Sequence, residues 1–192
     1  MIFTQGTKSE QSQLKKFLDM ISPSLAEKVS ILIFSKVIQK NRRFKTVFLS
    51  KQKQLGDQMG FNVDILEIVS MMISKFKTVL REPEDIVVEQ FTDTDDMYLI
   101  AKGACEVFIV DEKKNRNRIK NLRPGDYFGE ISLIYGCKRT ASVNSSKYST
   151  LAMLKKVHYK EILIEFPDLQ EQLKQSIFRY KDRMKRFTVS SI

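Results

Sequence analysis

Sixteen consecutive residues, 128–143, carry the residue types best suited to chemistry in this sequence: Phe-Gly-Glu-Ile-Ser-Leu-Ile-Tyr-Gly-Cys-Lys-Arg-Thr-Ala-Ser-Val. The pair Gly129-Glu130 opens a short apolar segment of helical character, and Arg139 arrives just before the small-residue strand 140–143. Backbone N–H groups at a glycine-bounded helix start attract an anion, and a guanidinium beside them forms charge-assisted bonds to phosphate. A carboxylate in an apolar setting, such as Glu130, can accept a hydrogen bond from a sugar hydroxyl. The run therefore suits recognition of a phosphate and a ribose together. Plainer readings of the same residues stay open at this level. Gly129 can be a turn glycine, Glu130 can cap a helix or bond its own backbone, and Arg139 can pair with Asp126 or Glu130 in a self-satisfied pocket.

The rest of the composition narrows the classes. At 192 residues, with 42% hydrophobic and 10% aromatic residues, the chain has material for one core plus a helical appendage. Apolar stretches such as Val29–Phe34 fall well short of the roughly 20 residues needed to span a bilayer. No secretory signal pattern opens the chain. One histidine, His158, and two unrelated cysteines, Cys105 and Cys137, offer no metal-ligand spacing and suggest a reducing compartment. The net charge of +10 is concentrated at 36–53 and 174–186, with acidic residues at 82–96. This reads as solvated helix faces and a partner surface rather than a nucleic-acid site. No nucleophile–base order, phosphate-binding Walker loop or paired acid motif is present, so no enzyme and no catalytic residue is expected.

The elements that must position these residues fall into three regions. Residues 9–48 are helical, with Leu14, Phe17, Leu18 and Ile21 at three- and four-residue spacing, then a break at Ser22-Pro23. The following helix places Leu25, Val29, Leu32, Ile33, Val37 and Ile38 on a broad apolar face. The polar, two-glycine stretch within 49–62 reads as a loop insertion. A helix over 63–76 follows, and from Thr78 to Leu154 the period changes to two. Candidate strands are 78–80, 85–89, 97–101, 105–110, 116–122, 140–144 and 148–154, with turn residues between them. Helices over 158–166 and 167–187 close the chain. In the second of these, Leu169, Leu173, Ile177, Tyr180 and Met184 form a stripe that can close over the strands or act as a lid. The fold class is α+β: an antiparallel, jelly-roll-like β-roll of about eight strands with flanking helices.

This order of elements resembles the cyclic nucleotide-binding domain over 63–187. The most specific part is Arg123-Pro-Gly-Asp-Tyr-Phe-Gly-Glu-Ile-Ser-Leu133 through Lys138-Arg-Thr-Ala-Ser-Val143, which looks like that family's phosphate-binding cassette. It is closest to the version in cyclic-nucleotide-gated and hyperpolarisation-activated channels. Residues 17–29 with 38–44 are similar to the last helices of the C-linker that joins pore to nucleotide domain, so 9–48 is expected to be C-linker-like. The resemblance implies cAMP or cGMP as ligand, with no cofactor and no metal. Arg139 would hold the phosphate. Gly129, Ile131 and Ser132 would approach it, Glu130 would hold the ribose hydroxyl, and Thr140 would contact phosphate or a syn guanine. Tyr180, Arg183 and Met184 would face the base. It further implies a regulatory piece on the cytoplasmic side of a membrane, within a tetrameric cation channel, potassium by superfamily. Alternatives are a degenerate, ligand-free domain serving assembly and a regulatory subunit of a cyclic-nucleotide-dependent kinase. The chain departs from the family pattern at Glu84 and at Gln90-Phe91-Thr92, where glycine-containing turns are usual, and at Tyr180, where hyperpolarisation-activated channels usually carry arginine.

Overall fold

A computed structural model of the chain describes residues 7–60, 63–111, 113–175 and 177. Helix α1 (Lys8–Met20) begins with a capping box, in which the Thr7 hydroxyl accepts from the Glu10 N–H and the Glu10 carboxylate accepts from the Thr7 N–H. Ser22 caps α2 (Pro23–Lys40), with Pro23 in the first turn, where its missing N–H costs nothing. Asn41 then serves two helices, ending α2 and accepting from the Arg43 and Phe44 N–H groups at the start of α3 (Arg42–Met59). Asp64 caps the short α4 (Ile65–Ile73).

Helix α3 corrects the loop expected within 49–62. Its first half is anchored by Phe44, Val47 and Phe48, all buried, and the polar half that follows is rich in good helix formers. Gly56 costs the helix only about 1 kcal/mol and does not stop it. The stop is Gly60, whose left-handed φ of 73° forms the C-cap.

Eight strands follow: β1 (Lys77–Arg81), β2 (Ile86–Val88), β3 (Met97–Lys102), β4 (Cys105–Val110), β5 (Arg116–Leu122), β6 (Tyr127–Phe128), β7 (Ser142–Ser145) and β8 (Ser149–Leu154). They form two antiparallel four-stranded sheets, ordered β1-β8-β3-β6 and β2-β7-β4-β5. Between β6 and β7 lies α5 (Glu130–Tyr135), and α6 (Lys156–Glu165) follows β8, with a further helical run over 168–175.

The period-two rule explains why β3 is buried on both sides. Tyr98 and Ile100 point between the sheets, joining Val88, Cys105, Leu122, Phe128, Val143 and Leu151. Met97, Leu99 and Ala101 point the other way, into a larger cluster built with Phe34, Ile38, Phe44, Phe48, Ile68, Met72, Tyr159 and Leu169. The N-terminal helices thus bury their inner faces on the roll of the same chain. Their outer faces stay bare: Met20 is 85% and Leu32 75% exposed, with Phe17 and Leu25 also exposed. The two turns that lack glycine still take the left-handed conformation, at Glu84 (φ 70°) and Phe91 (φ 68°). The fold therefore tolerates strain there that glycine would relieve.

Asn41 also reaches the β-roll. Its Nδ2 donates to the Gly125 carbonyl at 2.7 Å, in the turn that leads into β6. Replacing Asn41 by Ala removes a helix cap and leaves that carbonyl without its donor. The expected loss is about 1–2 kcal/mol. Denaturant unfolding with wild-type slope measures it, and a midpoint unchanged from wild type would contradict the dual role.

Candidate functional site

The site is built where β6 turns into α5. Gly129 sits at the junction with φ 85°, and a Cβ there would lie 2.7 Å from the Asp96 carbonyl oxygen and 2.8 Å from Arg139 Nη1. Only glycine satisfies both the conformation and the space. Gly136, φ 63°, ends α5 one and a half turns later. The first amides of this helix have no carbonyl within the helix to accept from them.

Arg139 comes back to the same point from the other direction. Its backbone is clamped to the β2–β3 loop, donating to the Thr92 carbonyl at 3.0 Å and accepting from the Phe91 N–H at 2.9 Å. Its side chain is only 2% exposed. Nε donates to Thr94 Oγ1 at 2.8 Å and Nη1 donates to the Gly129 carbonyl at 3.0 Å. Nη2 is buried and has no hydrogen-bond partner among the described residues. Burial pulls the guanidinium pKa below its ordinary value, against the pull of Tyr98, Asp96, Asp95 and Glu130; an arginine in this range still carries its charge. Asp96 is pushed up mainly by burial, with Arg139 opposing.

The self-satisfied pairing does not form. The Asp126 carboxylate instead accepts from the Arg123 N–H at 2.9 Å, and no ion pair joins Arg139 to Asp126 or Glu130 among the described residues. Glu130 is buried, and its pKa is pushed up to about 7 by desolvation, which outweighs its bond to its own backbone N–H and the fields of Lys120 and Arg139. The own-backbone bond left open by the sequence is therefore present. Among the described residues no ion pair joins its carboxylate to a lysine or arginine.

Gly129, Glu130, Ile131, Ser132, Arg139 and Thr140 line one pocket. Its far wall is apolar, formed by Val88, Val107, Ile109, Ile119, Leu122 and Val143 from the β2-β7-β4-β5 sheet, with Tyr127 at one side. One buried cation, one buried carboxyl and an aliphatic wall together suit a ligand with an anionic group, a hydroxyl and a flat apolar part. Tyr180, Arg183 and Met184, expected to face the base, lie outside the described residues. Leu169, Leu173 and Ile177, from the same stripe, are buried. Cys137 is exposed, and His158 is held by Glu161 at 3.5 Å, away from the pocket. Among the described residues no group of three His, Cys, Asp or Glu can hold a metal ion. Sequence reading missed Thr94 and the aliphatic wall. Val107 and Ile109 alternate along β4, but only the sheet order brings them and the β5, β2 and β7 residues opposite α5.

The profile of the cyclic nucleotide-binding domain matches residues 79–165. The mouse potassium/sodium hyperpolarization-activated cyclic nucleotide-gated channel 2 is 30% identical over 116 residues, which cover 60% of this chain and 13% of the channel's length. Among solved structures, the regulatory domain of Toxoplasma gondii PKA with cAMP aligns at a TM-score of 0.55 and 23% identity, over 72% of this chain and 51% of that one. The regulatory subunit of a cAMP-independent protein kinase A from Trypanosoma brucei aligns at 0.59 and 17%, over 83% and 53%. At these identities the two structures speak for the fold alone. With the eight-stranded roll, the helix inserted between β6 and β7 and the matched segment 79–165 in agreement, this part of the chain is a cyclic nucleotide-binding domain.

Proposed function

We propose that this chain binds cAMP or cGMP in the pocket between α5 and the β2-β7-β4-β5 sheet and acts as the regulatory region of a channel subunit. The observation that carries the binding reading is Arg139: a buried guanidinium, anchored at two nitrogens, with the third buried and unpartnered among the described residues. Such a cation is costly in an empty apolar pocket and is stabilised by an anion. The cyclic phosphate would sit on Nη2 and the first amides of α5, near Ser132 and Ile131. The ribose 2′-hydroxyl would donate to Glu130, Thr140 would meet phosphate or guanine, and the purine would lie along the aliphatic wall. Tyr180, Arg183 and Met184 are proposed to face the base from the last helix.

The channel part of the proposal rests on the 30% identity to the hyperpolarization-activated channel and on residues 9–48, proposed as C-linker helices preceding a nucleotide domain over 63–187. Their bare apolar faces at Phe17, Met20, Leu25 and Leu32 would meet neighbouring subunits of a tetramer. Among the described residues no helix is long and apolar enough to cross a membrane, so the pore would lie elsewhere in the protein, with this region on the cytoplasmic side. Ligand would bias gating by binding one arrangement of the closing helices more tightly than the other. One observation favours the alternative of a ligand-free assembly domain: the Glu130 carboxyl already bonds its own backbone.

The pH dependence of binding tests the proposal. The Glu130 pKa in the free protein is raised to about 7, so its carboxyl is mostly protonated at pH 6 and mostly ionised at pH 8. If the ribose hydroxyl donates to the ionised form, cyclic nucleotide affinity rises about tenfold across that interval. Glu130→Gln should flatten the profile and bind more weakly at pH 8. The stability of the free protein runs the other way. The folded state keeps a proton that the unfolded chain has lost, so stability falls as pH rises from about 4.5 through about 7, by ~3 kcal/mol. Glu130→Gln should remove that fall. A wild-type affinity independent of pH would overturn the ribose assignment, and no saturable binding at any pH would favour the assembly domain.

A further inference from the structure

Arg139 lies against the acidic run Asp93-Thr94-Asp95-Asp96, yet no aspartate of that run forms an ion pair with it among the described residues. Asp95 pairs with Lys156 at 3.1 Å, and Asp93 lies 3.8 Å from Lys138. Asp96 turns its backbone carbonyl toward Gly129. The side chain that does hold Arg139 is Thr94, through a 2.8 Å bond from Nε to a neutral hydroxyl. The second anchor, the Gly129 carbonyl, is neutral as well. A carboxylate in place of the hydroxyl would fix the guanidinium equally well and cancel the charge that an anion needs.

We propose that Thr94 is a positioning residue for anion recognition: its hydroxyl fixes the plane of the Arg139 guanidinium, aims Nη2 into the pocket and leaves the positive charge uncancelled. The two lysine–aspartate pairs complete the device by drawing the neighbouring carboxylates away from Arg139. The ligand side of this inference rests on the cyclic nucleotide reading, whereas the hold of Thr94 on Arg139 does not. Thr94 is exposed, so replacing it does not disturb the core.

The test compares Thr94→Val, Thr94→Ser and Thr94→Asp in the whole chain. Two readouts are used: the Arg139 Nε–H resonance by nuclear magnetic resonance without ligand, and titration with cAMP and cGMP. Thr94→Val should shift the Nε–H signal, speed its exchange with water and weaken binding about tenfold, the worth of one hydrogen bond to a charged group. Thr94→Ser should restore the resonance and bring affinity back to within about threefold of wild type. Thr94→Asp should keep the Nε–H bonded yet bind at least about tenfold more weakly, because the added charge opposes the phosphate. An unchanged Nε–H signal in Thr94→Val overturns the positioning role, as does Thr94→Ser behaving like Thr94→Val. If wild type bound no cyclic nucleotide while Thr94→Val still moved the Nε–H signal, the ligand reading would fall and the hold on Arg139 would stand.

Discussion

Arg139→Gln is expected to weaken cAMP and cGMP binding about 100- to 1000-fold, because a buried charge-assisted contact to phosphate is worth ~3–4 kcal/mol. The sign of its effect on the free protein should be the opposite. In the absence of ligand the guanidinium is desolvated, with Nη2 unpartnered, so the folded state carries an electrostatic cost. Gln is shorter, neutral and able to donate to the Gly129 carbonyl. The variant should be as stable as wild type or more so, by up to about 2 kcal/mol. Loss of binding with retained or improved stability separates a ligand-directed arginine from a structural one. A structural arginine would lose stability on replacement, and equilibrium unfolding without nucleotide decides between them.

Gly129→Ala should damage both properties. The new methyl meets the Asp96 carbonyl oxygen at 2.7 Å and the Arg139 guanidinium at 2.8 Å, on a backbone at φ 85°. Left-handed strain together with a clash against main chain should cost about 2–4 kcal/mol of stability. The backbone carbonyl cannot retreat without moving the start of β3, so the guanidinium yields first. Its displacement breaks the Nη1 bond to the Gly129 carbonyl and turns Nη2 away from the pocket. Nucleotide affinity should fall by at least about tenfold in the fraction that remains folded. Wild-type stability in this variant would mean that the junction between β6 and α5 is looser than the geometry shows.

How much of this was legible in the sequence depends on how local each cause is. Strands β4 and β5 match their expected spans, 105–110 and 116–122, because alternation and flanking turn residues are local signals. The break at Ser22-Pro23 was legible for the same reason, and Ser22 is the cap of the helix after it. Strand β6 is two residues long, too short for a period to register, and it is found only through its pairing with Tyr98 and Leu99. Residues 51–59 looked like a loop because they are polar and contain Gly56, although the helix is carried by Phe44, Val47 and Phe48 before them. The broad apolar face read on α2 includes Leu25 and Leu32, which are exposed; Phe34 and Ile38 are the fully buried ones. Which part of a wide stripe is covered is decided by the partner surface.

The same division runs through the site. Gly129, Glu130, Ile131, Ser132, Arg139 and Thr140 lie within twelve residues, and their types alone suggested an anion and a hydroxyl. The structure brings all six to one pocket. Thr94 sits 45 residues from Arg139, and nothing in its own neighbourhood marks it, since a threonine between aspartates reads as a solvated loop. The Asp126 or Glu130 pairing suggested for Arg139 failed because Asp126 is taken up in its own turn and Glu130 bonds its own backbone.

Calorimetric titration of the chain with cAMP and cGMP at pH 8, run beside Arg139→Gln, tests the central claim most directly. The account predicts saturable binding with one site per chain for wild type and no measurable saturation for the variant. Absence of heat from wild type at millimolar nucleotide, or equal binding by the two proteins, would contradict it.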